Sequence, residues 1–206
     1  LKGKPLIGYS IEAGLKSECI DDLIVSTDDE EIAAVAKEMG ASVPFIRPAD
    51  LSGDNVRQIE VILHCINYLK DEQQKNYDYI ALLQPTSPLR IAEDIDNAYD
   101  LLIKKQADSV ISFTSVENHH PYHMYYIEDH KIKSVIDHDR SNLQRQTLQE
   151  AFIVNGAVRI VNTDVLIKSK SFFSDNSVSY IMPNERSINI DEPYDWQLAE
   201  FILSRR

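Results

Sequence analysis

Tyr79-Ile80-Ala81-Leu82-Leu83-Gln84-Pro85-Thr86-Ser87-Pro88-Leu89-Arg90 decides the fold. Tyr79 to Leu83 is an apolar run of strand length, and the two prolines that follow cannot continue it. Ile95, Ala98, Tyr99 and Leu102 then recur at helical spacing, and Ser109 to Thr114 reads as the next strand. A strand, a stiff polar turn, an amphipathic helix and a further strand make a βαβ unit, whose crossover brings successive strands in parallel.

Upstream the same rhythm repeats. Pro5 opens a helix over Leu6 to Leu15, and Leu23 to Thr27 is a β-branched strand. Thr27 and Glu30 have capping-box spacing before Ile32, Val35, Ala36 and Met39, with Gly40 as the stop. Ser42 to Ile46 reads as a strand, followed by a helix with Ile59, Ile62, Leu63 and Ile66 on one face. Downstream, the polar stretch 116–150 breaks the alternation. It holds five of the six histidines (His119, His120, His123, His130 and His138) and alternates weakly around Met124 to Ile127 and Ile132 to Ile136, as a hairpin would. Regular structure resumes with Ala157 to Val161, a helix from Thr163, a strand at Val178 to Met182 and a last helix opened by Pro193. The expectation is one α/β domain over residues 1–206, with a mostly parallel sheet between two helical layers and a small insertion.

Composition narrows the function. The 206 residues carry 21 basic and 33 acidic side chains, a formal charge of −12, which argues against a nucleic-acid surface. No apolar run reaches the roughly 18 residues of a membrane span. Cys19 and Cys65 have no metal-site spacing and fit free thiols in a reducing cytoplasm. The histidines lack a helical pair with a nearby carboxylate, so a solvated or interface loop accounts for them.

Ligands of open α/β sheets bind beyond the carboxyl ends of the strands, so strand-end polar residues are the candidates. Ser26-Thr27-Asp28 follows the first strand, and helix capping accounts for it. Arg47, fixed by Pro48, offers a planar donor fork to a base edge or phosphate. Gln84, Thr86, Ser87 and Arg90 place donors on the twin-proline turn. Asn189 and Asp191 alternate onto one side of a strand, and such an oxygen pair suits Mg²⁺; Asp191 also fits as an N-cap ahead of Pro193. Arg145, Asn155 and Arg159 add basic and amide groups where the chain re-enters the sheet.

Taken together, Gly3-Lys4-Pro5-Leu6-Ile7, Val25-Ser26-Thr27-Asp28, Arg47-Pro48-Ala49 with Asp54, Leu82 through Arg90, Asn155-Gly156-Ala157 and Ile190-Asp191 resemble the acylneuraminate cytidylyltransferase family. That family comprises the CMP–sialic acid synthetases and their legionaminic and pseudaminic acid relatives. The stretches run in family order over nearly the whole chain, and Gln-Pro-Thr-Ser-Pro-Leu-Arg is the most specific. The resemblance implies a Rossmann-like nucleotidyltransferase sheet, with the insertion as a dimerisation hairpin in a cytoplasmic homodimer. It implies attack of the anomeric hydroxyl of a nine-carbon 2-keto sugar acid on the α-phosphorus of CTP, releasing pyrophosphate, with Mg²⁺ as cofactor, for surface glycan assembly.

By the same resemblance Arg47, Asp54 and Gln58 lie on the nucleotide side, and Gln84, Thr86, Ser87, Arg90, Asn155 and Arg159 on the sugar side. Arg145 recognises the acid and, with Asp191, counts as catalytic. Asp191 and Asn189 form the metal pair. The family opens with a strand and a basic glycine-containing loop that holds the triphosphate, and this chain starts after it, at Leu1-Lys2-Gly3. Asn189 stands where the family has a first aspartate. Arg159 replaces an aromatic, which implies an altered sugar substituent or an added contact with the substrate carboxylate. The competing readings are a 3-deoxy-manno-octulosonate cytidylyltransferase and an inactive nucleotide-sugar binder.

Overall fold

The computed structural model describes residues 1–137 and 148–206, so His138 and Arg145 lie outside the described residues. In chain order the elements are α1 (Leu6–Lys16), α2 (Glu30–Glu38), α3 (Gln58–Gln73), β1 (Tyr79–Leu82), α4 (Ala92–Lys105), β2 (Ser109–Ser115), β3 (Tyr125–Glu128), β4 (Lys131–Ser134), β5 (Phe152–Asn162), α5 (Thr163–Ser169), β6 (Ser177–Ile181) and α6 (Pro193–Leu203).

The main sheet has the order β1-β5-β2-β6. β2 and β6 are parallel, whereas β5 runs antiparallel to both β1 and β2. Three of these four strands therefore share a direction, and the reversed one sits between two of them. Strand alternation sends successive β5 side chains to opposite faces. Val158 and Ile160 pack with Ala13 of α1 and with Ile95, Ala98 and Leu102 of α4. Val161 turns the other way, onto Ile66 of α3, Leu166 of α5 and Phe172. Helices thus cover both faces, and each fully buried Val, Ile or Leu stabilises this three-layer core by about 1.5–3 kcal/mol.

β5 is irregular at one place that matters for the site. Ile111 lies opposite Arg159 and Phe113 opposite Val154, so two steps along β2 span five along β5. Asn155 to Val158 together face the single residue Ser112 and bulge in the middle of β5, with Gly156 at φ +72°.

Three local expectations are corrected. Leu23 to Thr27 and Ser42 to Ile46 do not form strands of the main sheet; they share one parallel bridge, Ile24 to Ser42. A cleft of about 710 Å³, lined among others by Leu23, Val25, Arg47, Leu83 and Pro85, separates them from the β1 edge, so they have nothing to pair with there. Second, α2 is capped by Asp29, whose Oδ1 accepts from the N–H groups of Glu31 and Ile32 at 2.7 and 3.0 Å. Thr27 accepts instead from the Asp29 N–H, one residue before the helix. Third, the N-cap of α6 is Glu192, and Asp195 Oδ2 accepts from the N–H groups of Asp191 and Glu192. The Asp191 carboxylate is therefore not used for capping.

Among the described residues β3 and β4 pair only with each other, apart from the main sheet. Ile127 and Ile132 of this hairpin are 73% and 62% exposed. No described helix is long and apolar enough to cross a membrane. Both cysteines are free thiols, and burial pushes Cys65 up to about 11, far from the thiolate a nucleophile needs.

Candidate active site at the strand-end rim

The twin-proline turn follows β1, and its two ends are fastened differently. Ser87 is fully buried, and its hydroxyl donates to the Asn155 carbonyl at 3.2 Å. Arg90 is 3% exposed. Its guanidinium donates to the carbonyls of Gln84, Ser87 and Ala157 (2.9 Å for the last) and to Ser10 Oγ at 2.5 Å. Among the described residues no carboxylate forms an ion pair with it, and burial brings its pKa down to about 10, so it stays charged at neutral pH. Asn155 is equally committed: Oδ1 accepts from Ser112 Oγ and the Ala157 N–H, while Nδ2 donates to Ser187 Oγ at 2.9 Å.

These three residues were expected to contact the sugar, and the structure turns them inward. A buried polar group must find partners inside the protein, and theirs are the turn and the β5 bulge. They hold the rim in shape from beneath.

Gln84 and Thr86 are the half-buried members of the turn. A Cβ built on Gly156 would overlap Gln84 Oε1, so the bulge leaves its space to the Gln84 carboxamide. Gly156→Ala therefore meets both a positive φ and the Gln84 side chain. It is expected to cost about 1–3 kcal/mol of stability and to push the Gln84 carboxamide out of its place, read as a lower thermal midpoint.

From Thr86 a hydrogen-bonded chain runs to the carboxylate before α6. Thr86 Oγ1 donates to Asn189 Oδ1 at 2.6 Å, and Asn189 Nδ2 donates to Asp191 Oδ2 at 2.6 Å. The Ile190 N–H donates to the Thr86 carbonyl at 2.7 Å, locking the two segments side by side. Asn189 thus spends its oxygen on Thr86 and its nitrogen on Asp191. It orients the carboxylate and has no lone pair aimed at the same point as Asp191. Among the described residues no three His, Cys, Asp or Glu side chains are grouped to hold a metal by themselves. The donor set fits Mg²⁺, which takes one or two carboxylates and completes its shell with phosphate oxygens and water. Asp191, exposed and free of capping duty, is the residue that suits it.

Arg47 stands at the far side of the cleft, whose wall it shares with Ser52, Gln58, Leu83 and Pro85. Leu83 and Pro85 flank Gln84 in sequence, so the cleft reaches the foot of the turn, while Gln84, Asn189 and Asp191 are not among its lining residues. Asp54 is exposed and outside the cleft lining. Arg159 lies on β5 opposite Leu82. Its Nε is buried without a hydrogen-bond partner among the described residues, and desolvation lowers its pKa. The inward roles of Ser87, Arg90 and Asn155 and the link between Asn189 and Asp191 were not legible beforehand. The bulge at Gly156 falls just ahead of the strand read from Ala157, and a glycine beside a strand pattern is the signal that could have marked it.

Comparison with known proteins gives this rim a family. A family model described as Cytidylyltransferase matches residues 1–171. An N-acylneuraminate cytidylyltransferase of Escherichia coli O18:K1:H7 is 36% identical over 206 residues, covering 98% of this chain and 47% of that protein, so the chain spans about half the length of this relative. A CMP-N,N'-diacetyllegionaminic acid synthase of Legionella pneumophila is 34% identical over 215 residues, covering 98% of this chain and 87% of its own length. In fold, the chain is similar to a solved CMP:2-keto-3-deoxy-manno-octonic acid synthetase complexed with CTP: TM-score 0.70 at 13% identity, covering 98% of this chain and 89% of the other. The chain belongs to the cytidylyltransferase family of nucleotidyltransferases.

Proposed function

We propose that this protein transfers CMP from CTP to the anomeric hydroxyl of a nine-carbon 2-keto sugar acid of the sialic or legionaminic type, releasing pyrophosphate. The observation that carries the reading is the Thr86–Asn189–Asp191 chain, which joins the turn bearing Gln84 to an exposed carboxylate free of capping duty. Phosphoryl-type transfer needs positioning and charge neutralisation more than covalent chemistry, so an absent Ser or Cys nucleophile is no obstacle. The sugar sits on Gln84, and the nucleotide base lies toward Arg47 in the cleft. Mg²⁺ supplies charge neutralisation at the phosphates when bound. Asp191 is its protein ligand, steered by Asn189.

Arg159 takes the carboxylate of the sugar acid. A half-buried guanidinium with no anion beside it among the described residues has a place for one, and a planar carboxylate matches its donor fork. Arg159→Met is expected to raise the KM for the sugar about 10-fold or more, without altering the KM for CTP. Equal rises for both substrates contradict this role. The exposed Tyr126, Ile127 and Ile132 of the β3–β4 hairpin favour a homodimer closed through that hairpin. The acceptor class is tested by offering nine-carbon and eight-carbon 2-keto sugar acids side by side. A clear kcat/KM preference for the nine-carbon acid supports the reading, and preference for the eight-carbon acid overturns it.

A further inference from the structure

The segment Ser26-Thr27-Asp28 is left over from the sequence reading, since Asp29 caps α2. The partner of the Asp28 side chain is Arg47. Asp28 Oδ1 accepts from Arg47 Nη2 at 2.6 Å, and Ser52 Oγ accepts from Arg47 Nε at 3.2 Å. Ser52 is itself anchored, donating to the Pro48 carbonyl at 2.9 Å. The Arg47 backbone is pinned as well, its N–H on the Thr27 carbonyl at 2.8 Å and Pro48 next in the chain. The guanidinium is thus held along its Nε and Nη2 side, and Nη1 has no acceptor among the described residues. Arg47 and Ser52 both line the cleft.

We infer that Asp28 and Ser52 are positioning residues for the nucleobase, locking the Arg47 fork so that the site accepts a pyrimidine offering adjacent acceptors. The inference rests on the cytidylyltransferase reading above. A guanidinium can only donate. Cytosine presents O2 and N3 as neighbouring acceptors, whereas the N3 of uracil carries a hydrogen and repels a donor. A swinging arginine would meet either base by rotating, and one fixed on two sides cannot. Selection therefore comes from the residues behind Arg47 as much as from Arg47 itself, because a polar group left facing the wrong partner costs more than a good pair gains.

A merely structural role predicts something else. Asp28 and Arg47 are partly exposed, and a surface ion pair adds little to stability. Removing it would then change neither substrate affinity nor base choice.

The experiment is calorimetric binding of CTP and UTP, without turnover, to wild type, Asp28→Ala, Asp28→Glu, Ser52→Ala, Arg47→Ala and the Asp28→Ala/Arg47→Ala pair, with thermal melts to certify folding. Asp28→Ala should weaken CTP about tenfold and narrow the gap between CTP and UTP. Asp28→Glu should recover part of the loss, and Ser52→Ala should weaken CTP by a smaller factor. In the Arg47→Ala background Asp28→Ala should add nothing, since Asp28 acts through Arg47. Unchanged CTP affinity in Asp28→Ala, or full additivity with Arg47→Ala, overturns the inference and leaves the cytidylyltransferase reading standing. A wild type that binds neither nucleotide overturns both.

Discussion

Replacing Asp191 by asparagine is expected to lower kcat about 100-fold to 1,000-fold while leaving the thermal midpoint where it is. The substitution keeps the shape and removes the charge. Stability should not move, because Asp191 is exposed and the orphan N–H groups at the start of α6 are taken by Asp195. Activity should collapse, because Asp191 is the sole carboxylate in the hydrogen-bonded chain from the turn to the closing helix. Asp195→Ala is the control with the opposite signature: it costs about 1 kcal/mol of stability, as lost caps do, and spares the chemistry. Activity and midpoint are read on the same preparations. If Asp191→Asn instead melts early and keeps its kcat, the carboxylate supports the helix and the metal assignment falls.

The second large effect is expected at Arg90. Arg90→Met keeps an apolar stem of similar reach and deletes every donor, so the carbonyls of Ser87 and Ala157 and the Ser10 hydroxyl lose that donor, while the Gln84 carbonyl keeps the Ser87 N–H and Ser10 Oγ. Each such group costs about 1–3 kcal/mol when left unsatisfied, for a loss of about 3 kcal/mol or more. In a chain of this size that lowers the thermal midpoint by about 6–12 °C. The protein that remains folded should bind the sugar poorly, because the turn carrying Gln84 is no longer tied to the β5 bulge. Arg90→Lys retains a charge and some donors, and should fall between the two in both measurements. A fully stable Arg90→Met with a raised KM for the sugar would mean that Arg90 touches substrate after all.

These two residues show which features the sequence makes legible. The periodic helices and the apolar strands emerge as expected, because 3.6- and 2-residue repeats are local properties. Strand partners are not local. The reversal of β5 between β1 and β2, and the failure of Leu23 to Thr27 to join the sheet, depend on what lies across a gap. The site divides along the same line. Arg47, Gln84 and Asp191 are recognisable as strand-end polar residues; Arg47 lines the cleft, and Thr86 and Asn189 link the turn that carries Gln84 to Asp191. Arg90, Asn155 and Ser87 carry the same polar labels, yet their partners include buried carbonyls and hydroxyls 32 to 80 residues away in sequence. No spacing rule tells an inward donor from an outward one. Asp28 is the converse: adjacent to a capping aspartate, it passes for a second cap until Arg47 is seen beside it.

The most direct measurement is the fate of the α-phosphorus of CTP, followed by ³¹P NMR with the full-length protein, Mg²⁺ and a nine-carbon 2-keto sugar acid. The account predicts a new phosphodiester resonance appearing in step with free pyrophosphate, and neither signal when the sugar acid is left out. Pyrophosphate that forms at the same rate without the sugar, or CTP that stays intact with every nine-carbon acid supplied, would contradict it.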